Sequence, residues 1–389
     1  MKKILFVNNN LEIGGVQTSL LNLLKEIQDD YDVTLLLFNL KKEYLSKIPT
    51  KVKVIEIKSA FKQFGLSKKD VKGNVFAYTS RAFWFILTNL FGRYFVTKLM
   101  GCTQRKLKGY DYAISFLHEL PQKSLYGGCN EFVLNKVEAK QKIAWIHCDF
   151  EQSGANNKQS RKNYERFDKI VACSDGVREK FIKCMPKQAN KCYTVRNCND
   201  YERIRSLSQE SVSYEGESLN LVTVARLSFE KGIDRAIQAV KTCLDNGINV
   251  RYHIVGDGRE ESRLKGLVQE LGLQEKVVFY GAQDNPYKFI KNADLLVLTS
   301  RHEAAPMVFD EAISLGVPVF ATKTTSTQEM ILDRDAGFVC ENTQEGITKG
   351  LLACLQNEQS LTEIRENLRT RKYNNDLAIK SFENVIANR

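Results

Sequence analysis

The sequence lacks any C-x-x-C pair, although ten of its 389 residues are cysteines. This absence argues against a zinc ribbon and against a thioredoxin-like redox site. The four cysteines between residues 173 and 198 leave a metal site as an alternative. Reduced, buried thiols in a cytosolic protein explain them better, so we predict no metal site.

Long apolar runs are also missing. The longest covers residues 82–92 between Arg81 and Arg93, well short of the ~20 residues that cross a membrane. The run 4–7 is too short for a secretory signal and predicts a first strand instead. With only six prolines the chain leaves no room for long flexible tracts, and its composition is that of a globular protein with two or three domains.

Acidic residues are too few to balance the basic ones, and the net charge is +11. Such a charge favours an anionic partner: nucleic acid, anionic lipid or a phosphorylated ligand. No helix-turn-helix, RNA-recognition or zinc-finger signature is present, so we predict no nucleic-acid partner.

Short aliphatic runs alternate with helical patterns along most of the chain, which predicts βαβ units and parallel sheets. A segment rich in Ser, Glu and Arg at 200–217 interrupts the alternation and predicts a linker. We therefore predict an α/β protein with domains at 1–199 and 218–365. A polar helix at 366–389 either caps the second domain or crosses back to the first. The predicted strands are 4–7, 33–38, 52–57, 112–117, 142–146, 170–173, 219–225, 250–255, 277–279, 295–299 and 317–321.

Residues 61–110 break the alternation as a basic, aromatic insert. Lysines and arginines such as Lys68 and Arg93 are interleaved there with aromatic residues, including the run 83–85. Such a segment either lies on an anionic membrane or packs as a helix pair on the first sheet with its lysines in water.

Two cations follow the first strand of the second domain. Arg226 ends the strand and Lys231 begins the next helix, at the sheet edge where open α/β sheets bind ligands. Together they suit a diphosphate, whereas either alone is equally well a surface cation. The turn Gly256-Asp257-Gly258 after the next strand resembles a nucleotide-side loop.

The most informative block is residues 300–312. Glu303 lies in the loop after an apolar strand, and Pro306 is predicted to be the first helical residue. The amides of Ala305, Pro306, Met307 and Val308 mark a helix start that could hold phosphate, although proline itself has no N–H to donate. Glu311, on the helix, and Glu303 could bind two separate diols.

In the first domain, His147 follows a predicted strand, and His118 follows another. Their strand-end positions make either a functional candidate, against the ordinary reading of a structural histidine. Gly14-Gly15 opens a helix after the first strand and lets a backbone approach a ligand, or simply forms a tight turn.

In this order, the residues resemble the retaining glycosyltransferases of family 4, over nearly the whole chain. The matching set is Gly14-Gly15, His147, Ser174-Asp175-Gly176-Val177, Asn197, Arg226, Lys231, Gly256-Asp257-Gly258, Glu303 and Glu311. The resemblance implies the GT-B fold: two Rossmann-like parallel-sheet domains facing a central cleft, the first for the acceptor and the second for a nucleotide-sugar donor.

The resemblance also implies roles. Arg226 and Lys231 would neutralise the donor diphosphate, Glu303 would hold donor-sugar hydroxyls, and Glu311 the ribose. Gly281 to Asp284 would lie near the base. His147 would contact the donor sugar, and Gly14 and Gly15 the phosphate and acceptor. The donor would be UDP- or GDP-linked, with no metal or other cofactor.

Two positions depart from the family pattern. Ala304-Ala305 follows Glu303 where glycine and an aromatic residue or leucine are usual, which alters the expected fit of the donor sugar. Asp310 stands where an apolar residue is common, either solvated on the helix or reaching the ligand.

Residues 300–321 most resemble bacterial enzymes of capsule, exopolysaccharide and O-antigen synthesis. The implied acceptor is a saccharide, free or linked to a lipid, and the implied location is the cytoplasm or the inner face of the cell membrane. Two alternatives stay open: a non-hydrolysing nucleotide-sugar epimerase and a non-catalytic sugar-nucleotide-binding protein.

Overall fold

The structure, a computed structural model, describes residues 1–12, 14–67, 69–214 and 216–387. The chain divides into two compact units. The first contains Met1–Cys198 together with Asn375–Arg389, and the second contains Asn199–Asn374. Each unit is built on its own parallel sheet.

The first unit has seven strands in the order β3-β2-β1-β4-β5-β6-β7. Every neighbouring pair is parallel. The direction in which strands are added to the sheet reverses between β1 and β4. A ligand site is expected at the carboxyl ends of the strands at such a reversal. The strands are β1 Lys3–Asn8, β2 Asp32–Leu37, β3 Lys53–Glu56, β4 Leu107–Ser115, β5 Val137–Ile146, β6 Lys169–Ala172 and β7 Cys192–Thr194.

Helices cover both faces of this sheet. The described helices between Met1 and Cys198 are α1 Gly15–Ile27, α2 Val75–Phe91, α3 Arg93–Gly101, α4 Cys129–Lys136, α5 Lys158–Arg166 and α6 Asp175–Cys184. Short 3₁₀ turns occupy Lys42–Lys47, Ala60–Phe64 and Pro186–Lys191. The predicted insert therefore contains a 3₁₀ turn, the helix pair α2 and α3 and the start of β4, while Lys68 lies outside the described residues.

The second unit has six strands in the order β10-β9-β8-β11-β12-β13, again all parallel. Both faces are buried: Leu221 belongs to one core cluster and its neighbour Val222 to the other. The strands are β8 Leu219–Val224, β9 Val250–Val255, β10 Val277–Gly281, β11 Leu295–Leu298, β12 Val319–Thr322 and β13 Gly337–Cys340. The helices are α7 Tyr201–Leu207, α8 Ile233–Asp245, α9 Glu261–Glu270, α10 Tyr287–Lys291, α11 Met307–Ser314, α12 Thr327–Met330, α13 Gln344–Gln356 and α14 Glu358–Thr370, with 3₁₀ turns at Phe229–Lys231 and Leu332–Arg334.

A last helix, α15 (Asp376–Ala387), belongs to the first unit. Its Phe382 is 1% exposed and its ring lies 6.4 Å from that of Phe6, in the core under β1. The Tyr112 hydroxyl on β4 donates to the carbonyl oxygen of Ile386 at 2.6 Å. Helix α15 therefore closes the first unit's core.

The structure differs from the sequence prediction at several boundaries. Strands β7 and β13 were not predicted, because an edge strand of three or four residues carries almost no periodic signal. The predicted linker 200–217 contains α7, whose Ile204 is buried. The predicted terminal helix begins too early, since residues 366–370 belong to α14 and the new helix starts at Asp376.

Candidate active site

The loop after β8 and the glycine turn after β9 are in direct backbone contact. The Ala225 amide donates to the carbonyl oxygen of Val255 at 3.0 Å, and the Leu227 amide to that of Asp257 at 2.7 Å. A Cβ atom at Gly256 would lie 1.9 Å from the oxygen of Ala225, and one at Gly258 would lie 2.2 Å from that of Leu227. Only glycine fits this approach, which fixes the position of the loop carrying Arg226.

Lys231 and Glu303 meet at the carboxyl edge of this sheet, although 72 residues separate them. The Lys231 ammonium donates to Oε1 of Glu303, and the Ser300 hydroxyl donates to the same oxygen at 2.7 Å. Their side chains are 23% and 12% exposed, so the pair is partly shielded from water. The structure thus brings together two predicted site residues, and this ion pair fixes the position of each side chain relative to the other.

Arg301 connects the two loops that carry this pair. Its guanidinium donates to both carboxylate oxygens of Asp234, at 3.0 and 2.8 Å, and to the carbonyl oxygen of Phe229 at 2.7 Å. It also stacks over the Phe229 ring at 4.0 Å. Burial alone would raise the pKa of Asp234, but the hydrogen bond and charge of Arg301 lower it. This contact between Arg301 and Asp234 was not predicted, and its only signal in the sequence is an arginine directly after a strand end.

Arg226 is exposed at the start of the loop after β8. Arg259, which is also exposed, follows the glycine turn. Burial raises the pKa of Glu230, but the nearby Ser228 hydroxyl and the charges of both arginines lower it overall. Arg259 is a cation that the sequence analysis missed, and its position after a glycine turn was the available signal.

Helix α11 begins one residue later than predicted. Pro306 is its N-cap, with extended backbone, and Met307 is the first helical residue. Met307 is buried, whereas Ala305 and Val308 are partly exposed. The first amides of a helix have no partner within it, so those of Met307 and Val308 form a donor-rich end beside the Glu303 loop.

Glu311 lies in the second turn of α11 and is partly buried. Burial, and secondly the charge of Asp310, raises the pKa of Glu311 to about 7. Its charge in turn helps to raise the pKa of Tyr287, after burial. Asp310 itself pairs with Arg334, Oδ1 to Nη1 at 2.5 Å, so it is neither solvated nor free to reach a ligand.

Gly281 is the last residue of β10, and Asp284 follows the strand. Gly281 has a left-handed backbone, with φ of 67°, and its carbonyl oxygen accepts from the Gly256 amide at 2.8 Å. Asp284 is exposed. The structure thus places Gly281 against the glycine turn.

In the first unit, His147 directly follows β5, and its ring packs 4.6 Å from that of Phe116. Its Nε2 is buried and makes no hydrogen bond to any described residue. Burial, and secondly His118, lowers the pKa of His147 well below its usual value. Burial and the charge of Arg93 lower the pKa of His118 to about 4. Both imidazoles are therefore neutral near pH 7, and each can donate to or accept from a ligand hydroxyl.

Arg93 is only 1% exposed, which corrects its interpretation as part of a basic surface. It donates to Glu119 at 2.5 Å and lies 3.4 Å from Glu131. Burial, and secondly Glu131, raises the pKa of Glu119, against the opposing charge of Arg93. This cluster joins α3 to the loop after β4 that carries His118. It was not predicted, because Glu119 and Glu131 lie 26 and 38 residues from Arg93 in the sequence.

Gly14 is the N-cap of α1, with extended backbone, and a Cβ atom there would lie 2.9 Å from Oε1 of Gln17. Gly15 is exposed, with no atom within 4 Å of such a Cβ. Packing therefore does not require glycine at residue 15.

No group of three or more His, Cys, Asp or Glu side chains in the described part of the chain is placed to hold a metal ion. The ten cysteines are all free thiols.

Residues 205–373 match the family model described as glycosyl transferases group 1. The segment is similar to group 1 glycosyl transferases. This segment contains all of the second-unit candidates, from Arg226 to Glu311. The predicted resemblance to glycosyltransferases is therefore confirmed for this segment.

Two curated relatives illustrate the similarity. The N-acetyl-alpha-D-glucosaminyl L-malate synthase of Bacillus anthracis is 27% identical over 224 residues, which cover 56% of this chain and 58% of the relative. The N-acetylgalactosamine-N,N'-diacetylbacillosaminyl-diphospho-undecaprenol 4-alpha-N-acetylgalactosaminyltransferase of Campylobacter jejuni is 25% identical over 213 residues, covering 54% and 56%. The chain thus spans little more than half the length of these relatives.

Solved structures match over the whole chain. TarM of S. aureus, in complex with UDP and other ligands, has a TM-score of 0.69 at 16% identity, with 100% of both chains covered. HepE of Anabaena, in complex with UDP, has a TM-score of 0.69 at 18% identity and the same coverage. With the two parallel sheets, these likenesses confirm the predicted GT-B fold of Rossmann-like domains.

Proposed function

We propose that this protein is a glycosyltransferase that moves a hexose-type sugar from a nucleotide-diphosphate donor to a saccharide acceptor. The observation that carries the proposal is the meeting of Lys231 and Glu303 at the strand ends of the group 1 segment. A cation and a carboxylate held side by side suit a ligand in which an anionic diphosphate adjoins a sugar. The UDP in the complexes of TarM and HepE supports a nucleotide as the donor.

Each charged group has a task in this proposal. Arg226, Arg259 and Lys231 stabilise the charge that develops on the departing diphosphate, together with the first amides of α11. Glu303 accepts hydrogen bonds from donor-sugar hydroxyls, and Glu311 from the ribose diol. The neutral His147 exchanges a hydrogen bond with a sugar hydroxyl through Nε2.

The reaction we propose retains the configuration of the sugar and needs no metal. The bond between the anomeric carbon and the diphosphate oxygen breaks, and a bond to the acceptor oxygen forms on the same face. The acceptor's proton passes to the departing diphosphate oxygen, so no protein nucleophile is required. The cationic side chains supply the positive charge that a metal would otherwise provide.

The acceptor we propose is a saccharide carried on a lipid, at the inner face of the cell membrane. The name of the C. jejuni relative, which acts on a diphospho-undecaprenol substrate, supports this class. The structure has no helix, among the residues it describes, that is long and apolar enough to cross a membrane.

Lys231→Met and Glu303→Gln test the site while keeping side-chain size. Removing one preorganised charged contact typically lowers turnover by ~10²–10³. We expect that loss in sugar transfer, measured with UDP- and GDP-sugars in excess chelator, and weaker UDP or GDP binding for Lys231→Met. Lys241→Met, on α8 outside the site, is the matched control.

Three outcomes would contradict the proposal as a whole, and a fourth would contradict one part of it. Near-normal turnover in both variants would remove the site assignment. Conversion of the donor sugar without any acceptor would indicate an epimerase. Nucleotide binding with no transfer to any saccharide would indicate a binding protein, and loss of transfer in chelator would refute metal independence alone.

A further inference from the structure

Helix α2 presents its apolar side chains to solvent. Its only buried residue is Thr88, whereas Phe76 is 84% exposed and Leu90 is 69% exposed. A helix on a protein surface normally has the opposite arrangement, with its apolar stripe towards the core. The outward side of α2 is therefore expected to bind an apolar surface.

The exposed residues form one continuous stripe. Positions 76, 83, 86 and 90 are spaced by seven, three and four residues, which places Phe76, Phe83, Ile86 and Leu90 on one face. Helix α3 continues the exposure with Phe95 and Leu99. We name this surface, formed by α2 and α3, the apolar ledge. Contiguous exposed patches of this kind mark sites of interaction.

The chain segment that forms the apolar ledge carries charge of one sign. Residues 71–110 contain seven lysines and arginines and no aspartate or glutamate, in a chain with net charge +11. Arg93 is buried in its carboxylate cluster, and Lys106 and Lys108 pair with Glu138. Lys72, Lys98 and Arg105 remain exposed beside the two helices.

Helix α3 attaches the apolar ledge to the rest of the first unit. Arg93 starts that helix, and its guanidinium donates to Glu119 and to the carbonyl oxygens of Leu120 and Pro121. Val96 and Met100 of α3 are also buried. The inward face of α3 is therefore fixed to the first unit, and its outward residues Phe95 and Leu99 are held at the surface.

We propose that the apolar ledge binds the surface of an anionic lipid bilayer, with α2 lying in the plane of the interface. An apolar helical face flanked by cations, in a segment that contains no acidic residue, is the pattern of an interfacial helix. Tyr78, Trp84 and Tyr94 add the amphipathic aromatic rings that favour the boundary between headgroups and acyl chains. This binding does not depend on the transferase activity, although it fits a lipid-carried acceptor.

The first experiment measures co-sedimentation of the full chain with vesicles of phosphatidylcholine, with and without phosphatidylglycerol. We expect binding that increases with the anionic lipid and weakens with salt. The double variant Phe83→Ser/Leu90→Ser should lose more than about tenfold in vesicle affinity, because two apolar side chains no longer enter the interface. Leu377→Ser, at an exposed position on α15, is the matched control and should bind as wild type.

A charge variant separates the electrostatic contribution. Lys72→Glu/Lys98→Glu should lose the preference for phosphatidylglycerol, whereas Lys380→Glu on α15 should keep it. Transfer to a water-soluble saccharide acceptor should be unchanged in every ledge variant, so that failure of vesicle binding and failure of the transferase assignment are told apart.

Two results would overturn the proposal. Equal vesicle binding by wild type and Phe83→Ser/Leu90→Ser would place any membrane contact elsewhere. Absence of vesicle binding, together with self-association that the double variant abolishes, would assign the ledge to a second copy of the chain.

Discussion

At the scale of single residues, the second unit depends on ion pairs that cross from loop to loop. Arg301 and Asp234 are 67 residues apart in sequence, yet their fork-to-carboxylate contact fixes the loops of Lys231 and Glu303. Arginine is specific here, because a lysine can neither donate in parallel nor stack on Phe229 in the same way. Arg301 is thus a positioning residue for the proposed donor site.

Arg301→Gln should lower kcat by roughly tenfold to a hundredfold, because small displacements of positioned groups are costly in catalysis. Arg301→Lys should recover only part of that loss. The control is Arg365→Gln, which breaks a comparable pair with Asp294 at the amino end of β11. If both glutamine variants lose the same stability and the same kcat, the role of Arg301 is merely structural.

Glu311 gives a pH-dependent prediction. Its pKa is raised to about 7 in the folded protein, above the usual carboxylate value, so folding favours its protonated form. Its stabilising contribution is complete below about pH 4.5 and is lost as the pH rises through 7. Glu311→Gln should therefore be more stable than wild type at pH 8, by up to about 3 kcal/mol, with little difference at pH 5.

Thermal unfolding between pH 5 and pH 8 measures this difference. Glu270→Gln, at an exposed position on α9, should show a difference from wild type that does not change with pH. A Glu311→Gln curve parallel to that of wild type would show that Glu311 is already ionised in the folded state.

At the scale of elements, the glycine turn after β9 holds the loop after β8 in place by backbone hydrogen bonds. Gly256→Ala puts a methyl group against the carbonyl oxygen of Ala225, at a backbone angle φ of 139° that side chains disfavour. We expect a loss of about 2–4 kcal/mol in the free energy of unfolding.

Denaturant titration of the full chain provides that measurement. Gly266→Ala, inside α9 with open space around the added methyl group, should instead be neutral or stabilising by up to about 1 kcal/mol. A Gly256→Ala protein as stable as Gly266→Ala would mean that the two loops can separate at no cost.

The elements were predicted with uneven success, for physical reasons. The bounds of β9 were predicted correctly, because a buried strand is rich in apolar residues, which are visible in the sequence. Edge strands β7 and β13 were missed, since partial burial leaves little pattern. The ends of predicted strands suggested Arg226, Lys231, His147 and Glu303 as candidates. The carboxylates that bind Arg93 were missed, because no local rule pairs residues from separate elements.

At the scale of the whole molecule, stability is divided between two units with separate cores. Phe382→Ala removes a buried ring from the first unit's core and should destabilise that unit by about 3–5 kcal/mol. Hydrogen exchange should show faster opening in Met1–Cys198, with protection in Asn199–Asn374 unchanged. Uniformly faster exchange in both units would instead indicate a single cooperative structure.

The return of α15 to the first unit also orders the biosynthesis of the protein. The second unit is complete once residue 374 has been made, whereas the first still lacks the helix that covers Phe6. A nascent chain therefore exposes the underside of the earlier unit until the later one has been translated. The first unit is therefore completed only after the second.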